Sequence, residues 1–309
     1  MQLPQPLRGI VTPLLTPLVS PDRLDADGLD RLVDHVLAGG VHGIFVLGTS
    51  GEGPSLSNAI RRDVIGRVCR RAEGRVPVLV GITDSSLADS VQMAQVAAGA
   101  GAAAVVTTGP LYMPVTQDQL LDYIARLAAD SPLPVFLYNM PSHAHVFFEV
   151  ETVEKASGIP GVAGLKDSSS QILYLRRLQQ ALAHKPEFTL MVGPEEMMAE
   201  CVLFGLHGGV NGGSNLFPEL FVALYHAAAK GDLAAAAPLR DRVLEISRRI
   251  YSAVSYGSSY LQGIKCAAEL LGICAGELAP PYRAFTGGQR ETVRQGLVAI
   301  GALPGATRA

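Results

Sequence analysis

The sequence predicts an α/β protein whose fold is a (β/α)8 TIM barrel followed by a C-terminal helical segment. Eight short apolar runs, rich in β-branched residues, alternate with amphipathic helical stretches. Strands that are almost continuously apolar and alternate with helices form a parallel sheet covered on both faces, and eight such strands close a barrel. After about residue 214 the pattern is purely helical.

The apolar runs set the order of the elements along the chain. The predicted strands cover residues 9–13, 43–48, 76–81, 103–108, 133–139, 161–166, 188–193 and 208–213. The first helix is predicted to have Asp27 as its N-cap and to end at Gly39-Gly40, because these residue types are frequent at helix ends. We expect residues 1–215 to hold the barrel strands and most helices, and residues 216–309 the last barrel helix and the helical segment.

The composition limits the classes of partner. A formal net charge of −3 and scattered basic residues give no positively charged surface for nucleic acid or an anionic membrane. Arginine pairs such as Arg61-Arg62 are expected on solvated helix faces. Charged residues make up 17% of the chain. Because about a quarter is usual, part of the surface is expected to be neutral or buried in an oligomer.

The cysteines and the N-terminus indicate a compartment. The four cysteines lie far apart and form no CxxC motif, so free thiols in a reducing cytosol are expected. The N-terminus has no basic region followed by an apolar one, and no apolar run of about 18 residues is free of Gly or Pro. These features predict a cytoplasmic protein without a membrane segment.

One of the five lysines stands at the end of a predicted buried strand. Lys166 follows Ala163, Gly164 and Leu165 in "GVAGLKDSSS", although lysine is by default a surface residue. Burial destabilises the ammonium form, and the neutral amine that results forms an imine with a carbonyl compound. The alternatives for Lys166 are a side chain that reaches solvent or an ion pair with Asp167.

Other polar side chains follow other predicted strands. Tyr112, Tyr138 and the hydroxyl pair Thr49-Ser50 stand at or just beyond strand ends. In TIM barrels the carboxyl ends of the strands meet at the face that carries the reactive groups. These side chains are therefore expected to converge with Lys166, although Tyr138 could also be an ordinary core tyrosine.

Four segments resemble, in order and spacing, the motifs of the dihydrodipicolinate synthase / N-acetylneuraminate lyase family. They are "GTSGEGPSLS", "GPLYMP", "LYNMPS" and "GLKDSSS". The resemblance covers nearly the whole chain, and YN-x-P followed about 28 residues later by G-x-K is a specific combination. It implies a (β/α)8 barrel with Schiff-base (class I) chemistry on pyruvate, without a cofactor, in a homotetramer built from two dimers.

The resemblance implies a role for each matching residue. Lys166 resembles the lysine that forms the imine with pyruvate, and Tyr138 the tyrosine that moves protons to and from the carbinolamine. Thr49 and Ser50 stand where the family has a hydroxyl pair that binds the pyruvate carboxylate, and Thr49 would relay protons to Tyr138. Tyr112 matches the tyrosine that reaches across the dimer interface into the neighbouring site.

Three further residues are interpreted as follows. The backbone carbonyl of Val210 matches, by the resemblance, one that faces the reacting centre. Glu52 is interpreted as a structural residue that fixes the loop after the second strand, rather than as a base. Lys265 lies on an amphipathic helix outside the predicted barrel and is interpreted as a structural or interface lysine.

Two positions depart from the synthases of the family. Synthases that condense pyruvate with aspartate semialdehyde usually carry an arginine two residues after the proline of "YNMPSHAH", where this chain has His143. Histidine is a weaker, pH-dependent carboxylate anchor, and it could instead bind a hydroxyl of a sugar-like aldehyde or lie at the surface. Leu111 replaces one tyrosine of the family's frequent pair. The chain is therefore expected to resemble most the branch that acts on 2-keto-3-deoxy sugar acids.

A metal site is not expected. His143 and His145 form an HxH pair, but no Asp, Glu or third His stands at a matching strand end. Because a zinc site needs three or four ligands, two histidines are insufficient. The expected partners are small molecules, pyruvate and an aldehyde, with neither nucleic acid nor membrane.

The leading hypothesis is a pyruvate-dependent class I aldolase or lyase that acts on a 2-keto-3-deoxy sugar acid or a similar aldol. The first alternative is a 4-hydroxy-tetrahydrodipicolinate synthase in which His143 replaces the arginine. A second alternative is a barrel enzyme that binds phosphorylated substrates at "GGVNGGSN". A third is a non-catalytic 2-oxo acid binding protein, which the tyrosine and hydroxyl set disfavours because binding alone needs no proton relay.

Overall fold

A computed structural model of the chain describes residues 3–254 and 259–304. Parallel strands form a closed barrel in which each strand pairs with the next in sequence and the last pairs with the first. The strands are β1 (Gly9–Pro13), β2 (Gly43–Val46), β3 (Val78–Gly81), β4 (Ala104–Thr107), β5 (Val135–Asn139), β6 (Val162–Asp167), β7 (Thr189–Val192) and β8 (Gly208–Gly209). The predicted (β/α)8 TIM barrel with a C-terminal helical segment is confirmed.

Helices follow the strands and fill the C-terminal region. They are α1 (Ala26–Ala38), α2 (Asn58–Ala72), α3 (Leu87–Gly99), α4 (Gln117–Asp130), α5 (Pro141–Ala144), α6 (Val150–Ala156), α7 (Ile172–Ala181), α8 (Met198–Leu203), α9 (Pro218–Ala229), α10 (Leu233–Ile246), α11 (Ser259–Leu270) and α12 (Gly287–Ala299). Within the described residues, none of them combines the length and the apolar character that crossing a bilayer requires. A short antiparallel pair, Leu18–Ser20 and Arg23–Leu24, was not predicted.

Capping residues set the ends of the first helix. Asp25 is the N-cap, because its carboxylate accepts a hydrogen bond from the Gly28 amide at 2.9 Å. The predicted N-cap, Asp27, is therefore wrong: it lies in the first turn, past the position from which a side chain can reach a free amide of that turn. Gly39 caps the other end, as predicted.

Six of the eight strands are shorter than their predicted runs. β2 and β8 lose the most residues at their carboxyl ends, because the chain turns sharply there. β2 stops before Leu47, whose φ of 60° lies in the left-handed region, where an extended strand cannot continue. β8 has only two residues because Gly212–Asn215 forms a 3-10 turn. Asn215 Nδ2 ties this turn to β1 through a hydrogen bond of 2.9 Å to the Pro13 carbonyl.

The C-terminal segment, which the sequence predicts to be purely helical, contains a π-helical turn. α10 ends at Ile246 and the turn covers Ser247–Tyr251. Gly263 lets α11 approach this turn, since a Cβ there would lie 2.2 Å from the Ile250 carbonyl oxygen. The boundary at residue 215 stays a prediction, because one apolar core contains side chains from both sides of it, among them Ile10 and Ile264.

A buried ion pair joins the loop after β2 to α11. Lys265 Nζ lies 2.6 Å from Glu52 Oε1, and neither side chain is exposed to solvent. Lys265 Nζ also donates to the Thr16 carbonyl at 2.9 Å, and the Ala279 amide donates to the other Glu52 oxygen at 2.8 Å. The pair thus ties together four distant parts of the chain, in agreement with the structural roles interpreted for both residues.

Removing one partner of this pair should destabilise the protein strongly. Lys265→Met leaves the Glu52 carboxylate buried without its cation, and breaking a buried pair in this way costs about 3–5 kcal/mol. Denaturant and thermal unfolding measure the change in the free energy of unfolding. Lys230→Met, at an exposed lysine, is the control and should change it by less than about 0.5 kcal/mol.

The double variant Glu52→Leu/Lys265→Met separates loss of the pair from loss of packing. It removes both charges, and apolar residues of similar volume often replace a buried ion pair without loss. It should therefore be more stable than Lys265→Met alone. A single variant as stable as the unchanged protein would contradict the role given to this pair.

Candidate active site

The carboxyl ends of the barrel strands surround a cavity of about 590 Å³. Its lining combines apolar side chains, among them Phe45, Leu47 and Val106, with polar side chains. The structure brings together here most of the residues selected from the sequence: Thr49, Ser50, Tyr138, His143, Lys166 and Val210. The carboxyl face of the barrel is therefore the candidate active site.

Lys166 lies inside the barrel at the end of β6. Its Cα pairs in register with that of Tyr138 on β5. Lys166 Nζ lies 4.1 Å from the centre of the Tyr138 ring and 5.2 Å from that of the Phe45 ring. Because only 6% of the residue is exposed, the amine stands among aromatic rings rather than in bulk water.

Asp167 does not serve as the partner of Lys166. Successive side chains of a strand point to opposite faces, and the Asp167 carboxylate accepts hydrogen bonds from Asn139 Nδ2 at 2.7 Å and Ser169 Oγ at 2.9 Å. Burial raises the pKa of Asp167 to about 6, against the lowering effect of these hydrogen bonds. The alternative of a Lys166–Asp167 ion pair is therefore wrong.

The Tyr138 hydroxyl is part of a hydrogen-bond chain. It shares a hydrogen bond of 3.2 Å with Thr49 Oγ1. Burial alone would raise the pKa of the phenol, but the charge of Lys166 and hydrogen bonds with Thr49 and Ser168 outweigh it, so the pKa of Tyr138 lies below its usual value. A phenol with a lowered pKa exchanges its proton more easily, which is what a general acid–base group requires.

A tightly folded loop brings Thr49 and Ser50 to the cavity. The loop turns at Leu47, whose φ is 60°. Gly53 is required there, since a Cβ on it would lie 2.1 Å from the Leu47 carbonyl oxygen. Ser50 Oγ shares a hydrogen bond of 3.1 Å with the Tyr260 hydroxyl, so the second hydroxyl of the loop also faces a tyrosine.

His143 lines the cavity from the short helix α5. Its Nδ1 lies 2.9 Å from Ser142 Oγ. Partial burial, and to a smaller extent the nearby His145, lowers the pKa of His143 below its ordinary value. The imidazole is therefore neutral at pH 7 and offers no fixed positive charge. Among the residues that the structure describes, no three His, Cys, Asp or Glu side chains lie together as metal ligands.

Tyr112 does not reach the cavity of its own chain. It is 93% exposed, and the following Met113 is 64% exposed. Its φ of 78° lies in the left-handed region, a strained conformation for a bulky residue. The structure thus leaves Tyr112 apart from the group formed by the other selected residues.

Arg61 lines the cavity, although its position was predicted wrongly. Instead of lying on a solvated face of α2, it is only 5% exposed, and its guanidinium pairs with Asp84 at 3.1 Å. The physical reason is helical spacing: Arg61 precedes the buried Val64 and Ile65 by three and four residues, so all three share one face. The helical spacing in the sequence therefore indicates that Arg61 lies on the buried face of α2.

Three further lining residues, Glu195, Tyr251 and Tyr260, were not selected from the sequence. Glu195 follows β7 and accepts hydrogen bonds of 2.8 Å from the Tyr251 hydroxyl and from the Gly213 amide. Burial raises the pKa of Glu195 to about 7. Tyr251 ends the π-helical turn and Tyr260 lies on α11, so their placement depends on how the C-terminal segment folds back over the barrel.

Known proteins are similar to this chain over nearly its whole length. Residues 6–300 match the dihydrodipicolinate synthetase family. An uncharacterised DapA-like lyase of Halobacterium salinarum is 34% identical over 300 residues, which cover 97% of this chain and 96% of that protein.

Solved structures agree. Dihydrodipicolinate synthase from Bacteroides thetaiotaomicron is 47% identical with a TM-score of 0.93, covering 96% of this chain and 100% of that chain. YagE of E. coli K12, a member of the dihydrodipicolinic acid synthase family in complex with pyruvate, is 26% identical with a TM-score of 0.90, covering 96% and 99% of the two chains.

These similarities do not single out the branch that the sequence led us to expect. The names of the three proteins describe a DapA-like lyase and members of the synthase family, and none refers to a sugar acid. The family itself is shown by a match that spans almost the entire chain. The chain belongs to the dihydrodipicolinate synthetase family, and it is a lyase of that family.

Proposed function

We propose that the protein is a Schiff-base (class I) aldolase or lyase that uses pyruvate. The observation that carries this proposal is Lys166 beside Tyr138, whose hydroxyl is hydrogen-bonded to Thr49 at 3.2 Å. This set supplies a buried amine, a phenol that exchanges protons and a hydroxyl that relays them. The pyruvate bound by YagE supports the choice of 2-oxo acid.

Imine formation uses these groups in order. The Lys166 ammonium, whose charge lowers the pKa of Tyr138, first releases a proton through Tyr138 and Thr49. The lone pair of the resulting amine attacks C2 of pyruvate, and one amine proton passes to the ketone oxygen to give a carbinolamine. Tyr138 protonates that hydroxyl, which leaves as water while the nitrogen lone pair forms the C=N bond. Tyr138 then recovers a proton through Thr49. The protonated imine withdraws electrons from the adjacent carbon, so a C–C bond to an aldehyde can form or break there.

The loop after β2 is suited to hold the pyruvate carboxylate. Thr49 and Ser50 offer hydroxyl and amide donors beside the amine, and Val210 lines the cavity with them. Neutral donors leave Lys166 without a competing permanent ion pair. In this arrangement the Val210 carbonyl faces the reacting carbon.

The acceptor is inferred to carry hydroxyl groups, so that the aldol is a 2-keto-3-deoxy sugar acid or a similar compound. His143 is neutral at pH 7, and Arg61 is already paired with Asp84 at 3.1 Å. His143 therefore offers no fixed positive charge to a second carboxylate, and the charge of Arg61 is balanced by Asp84, although Arg61 Nε has no hydrogen-bond partner. Hydroxyl side chains that can pair with a sugar chain line the cavity instead: Thr83, Thr108, Ser142, Ser168 and Ser170.

A second candidate is 4-hydroxy-tetrahydrodipicolinate synthase, which condenses pyruvate with L-aspartate semialdehyde. The observation in its favour is the 47% identity to the synthase of Bacteroides thetaiotaomicron over 96% of this chain. In this candidate His143 takes the place of the arginine and binds the second carboxylate, which requires its protonated form.

The two hypotheses of other classes have less support. A phosphate-binding barrel would use the backbone amides of "GGVNGGSN", but the Gly213 amide already donates to the Glu195 carboxyl at 2.8 Å. A non-catalytic binding protein would not need the lowered pKa of Tyr138. Both features favour a lyase reaction.

We also propose that the active form is a cytoplasmic homotetramer of two dimers in which Tyr112 completes the site of its partner. Its 93% exposure, its strained backbone and the exposed Met113 beside it all support a contact outside its own chain. The partner's Tyr138 is the group to which Tyr112 would pass protons.

Lys166→Ala should abolish covalent trapping of pyruvate by borohydride, because the imine nitrogen is removed. The intact-protein mass after reduction measures the adduct. Lys230→Ala, at an exposed lysine, is the matched control and should trap as much pyruvate as the unchanged protein. An undiminished adduct on Lys166→Ala would rule out the imine role of Lys166.

The values of kcat/KM for the two candidate substrates distinguish between the two proposed reactions. We expect faster cleavage of a 2-keto-3-deoxy sugar acid, followed as pyruvate release, than condensation with L-aspartate semialdehyde, followed by reduction of the cyclic product. His143→Arg should raise kcat/KM for the semialdehyde by about tenfold, since it adds a charge-assisted hydrogen bond. Robust condensation by the unchanged protein would favour the synthase.

Mixing Tyr112→Phe with Lys166→Ala protein should restore activity if Tyr112 acts in the neighbouring site. Half of randomly formed dimers are then hybrids with one intact site in two, so about a quarter of the activity should return. Mixing Lys166→Ala with Tyr138→Phe is the control, because both residues belong to the same site and no intact site can form. Equal results in the two mixtures would contradict a shared site.

A further inference from the structure

The cavity contains a second tyrosine hydroxyl, that of Tyr260, at the end where Ser50 lies. The Tyr260 oxygen is 3.1 Å from Ser50 Oγ, and Tyr260 lines the same cavity as Lys166. Gly212 leaves room for it, since a Cβ on Gly212 would lie 1.7 Å from the Tyr260 oxygen and would displace it. The fold thus reserves space for this hydroxyl at the strand ends.

The hydroxyl groups of Ser50 and Tyr260 together have one hydrogen that their mutual hydrogen bond does not use. When Ser50 and Tyr260 bond to each other, one of them donates and the hydrogen of the other remains free. Burial and the nearby Glu195 raise the pKa of Tyr260, so this phenol keeps its proton at neutral pH. Tyr138 differs, because its pKa is lowered. A tyrosine that never ionises is suited to donate a hydrogen bond, whereas Tyr138 is suited to exchange its proton.

Two buried residues hold the Tyr260 ring in place. The Tyr251 ring packs edge-on against it, with centres 5.0 Å apart and planes at 72°. The Tyr251 hydroxyl donates to Glu195 at 2.8 Å, and Glu195 in turn accepts from the Gly213 amide at 2.8 Å. Tyr251 ends the π-helical turn Ser247–Tyr251, a rare conformation that is frequent at functional sites.

We propose that Tyr260 contacts the substrate: its hydroxyl acts with Ser50 to bind the carboxylate of the 2-oxo acid. Tyr251 and Glu195 are positioning residues, because they touch the Tyr260 ring or each other rather than the carboxylate. The inference rests on the proposed function, since it assigns this carboxylate to the Ser50 end of the cavity. It places one of the substrate's ligands on α11, outside the barrel.

The test compares two compounds that differ at this end in charge and in one hydrogen-bond acceptor. Pyruvate carries the carboxylate, whereas pyruvamide carries an uncharged amide on the same ketone. Borohydride trapping at increasing concentrations gives the half-saturating concentration of each. Tyr260→Phe should raise that of pyruvate by about 10- to 100-fold, as expected for loss of a hydrogen bond to a charged group, and that of pyruvamide by less than about threefold.

The control is a tyrosine–serine pair outside the cavity. Tyr123 and Ser90 lie with their hydroxyl oxygens 3.5 Å apart. Tyr123→Phe should leave both half-saturating concentrations unchanged. If Tyr260→Phe raises the half-saturating concentrations of pyruvate and pyruvamide equally, or raises neither, the carboxylate contact is overturned. Tyr260 is then a packing residue.

The positioning role is tested by combination. Tyr251→Phe and Glu195→Gln should each raise the half-saturating concentration of pyruvate, but less than Tyr260→Phe. Neither should add a further increase in the Tyr260→Phe background, because the hydroxyl they position is gone. An additive effect there would overturn the positioning role.

Failure of this inference and failure of the proposed function are distinguishable. If the unchanged protein traps pyruvate and Tyr260→Phe does so at the same concentrations, only the role of Tyr260 is overturned. If the unchanged protein forms no adduct at any pyruvate concentration, the imine mechanism fails and the assignment of Tyr260 fails with it.

Discussion

The buried ion pair between Glu52 and Lys265 is the constraint on which the candidate active site depends. It fixes the loop that carries Thr49 and Ser50 to the helix that carries Tyr260, with both charges fully buried. A buried pair adds little net stability, since desolvation offsets most of the attraction. Its contribution here is position, because the carboxylate and the ammonium each accept only a narrow range of partners.

Different surroundings give the two cavity tyrosines, Tyr138 and Tyr260, different acid–base properties. Tyr138 lies beside Lys166, whose charge lowers the pKa of the phenol, whereas burial beside Glu195 raises the pKa of Tyr260. Strand β6 also keeps two neighbouring charged side chains apart. Lys166 faces the cavity, whereas Asp167 faces Asn139 on the other side of the strand. Alternation along one strand therefore supplies an amine without an adjacent counter-ion.

The barrel and most of its polar mouth could be predicted because both follow from local patterns. The predicted strands end at the residues that line the cavity. Lys166 and Tyr138 are also direct partners in the pairing of β5 with β6. Glu195 follows β7, so the same strand-end pattern could have selected it. Tyr251 and Tyr260 could not be found in this way. Their approach depends on a π-helical turn and on the packing of α11, which helical periodicity does not encode. Tyr112 belongs to a third class, because the role proposed for it depends on a partner subunit.

The separation of Glu52 and Lys265 along the chain, 213 residues, has a consequence for biosynthesis. At the usual rates of translation, roughly 10 to 40 s pass between the synthesis of the two residues. The loop after β2 leaves the ribosome long before the cation that will neutralise its glutamate. Until then that carboxylate must stay hydrated or protonated, so the loop that carries Thr49 and Ser50 cannot take its final buried position before α11 has been synthesised.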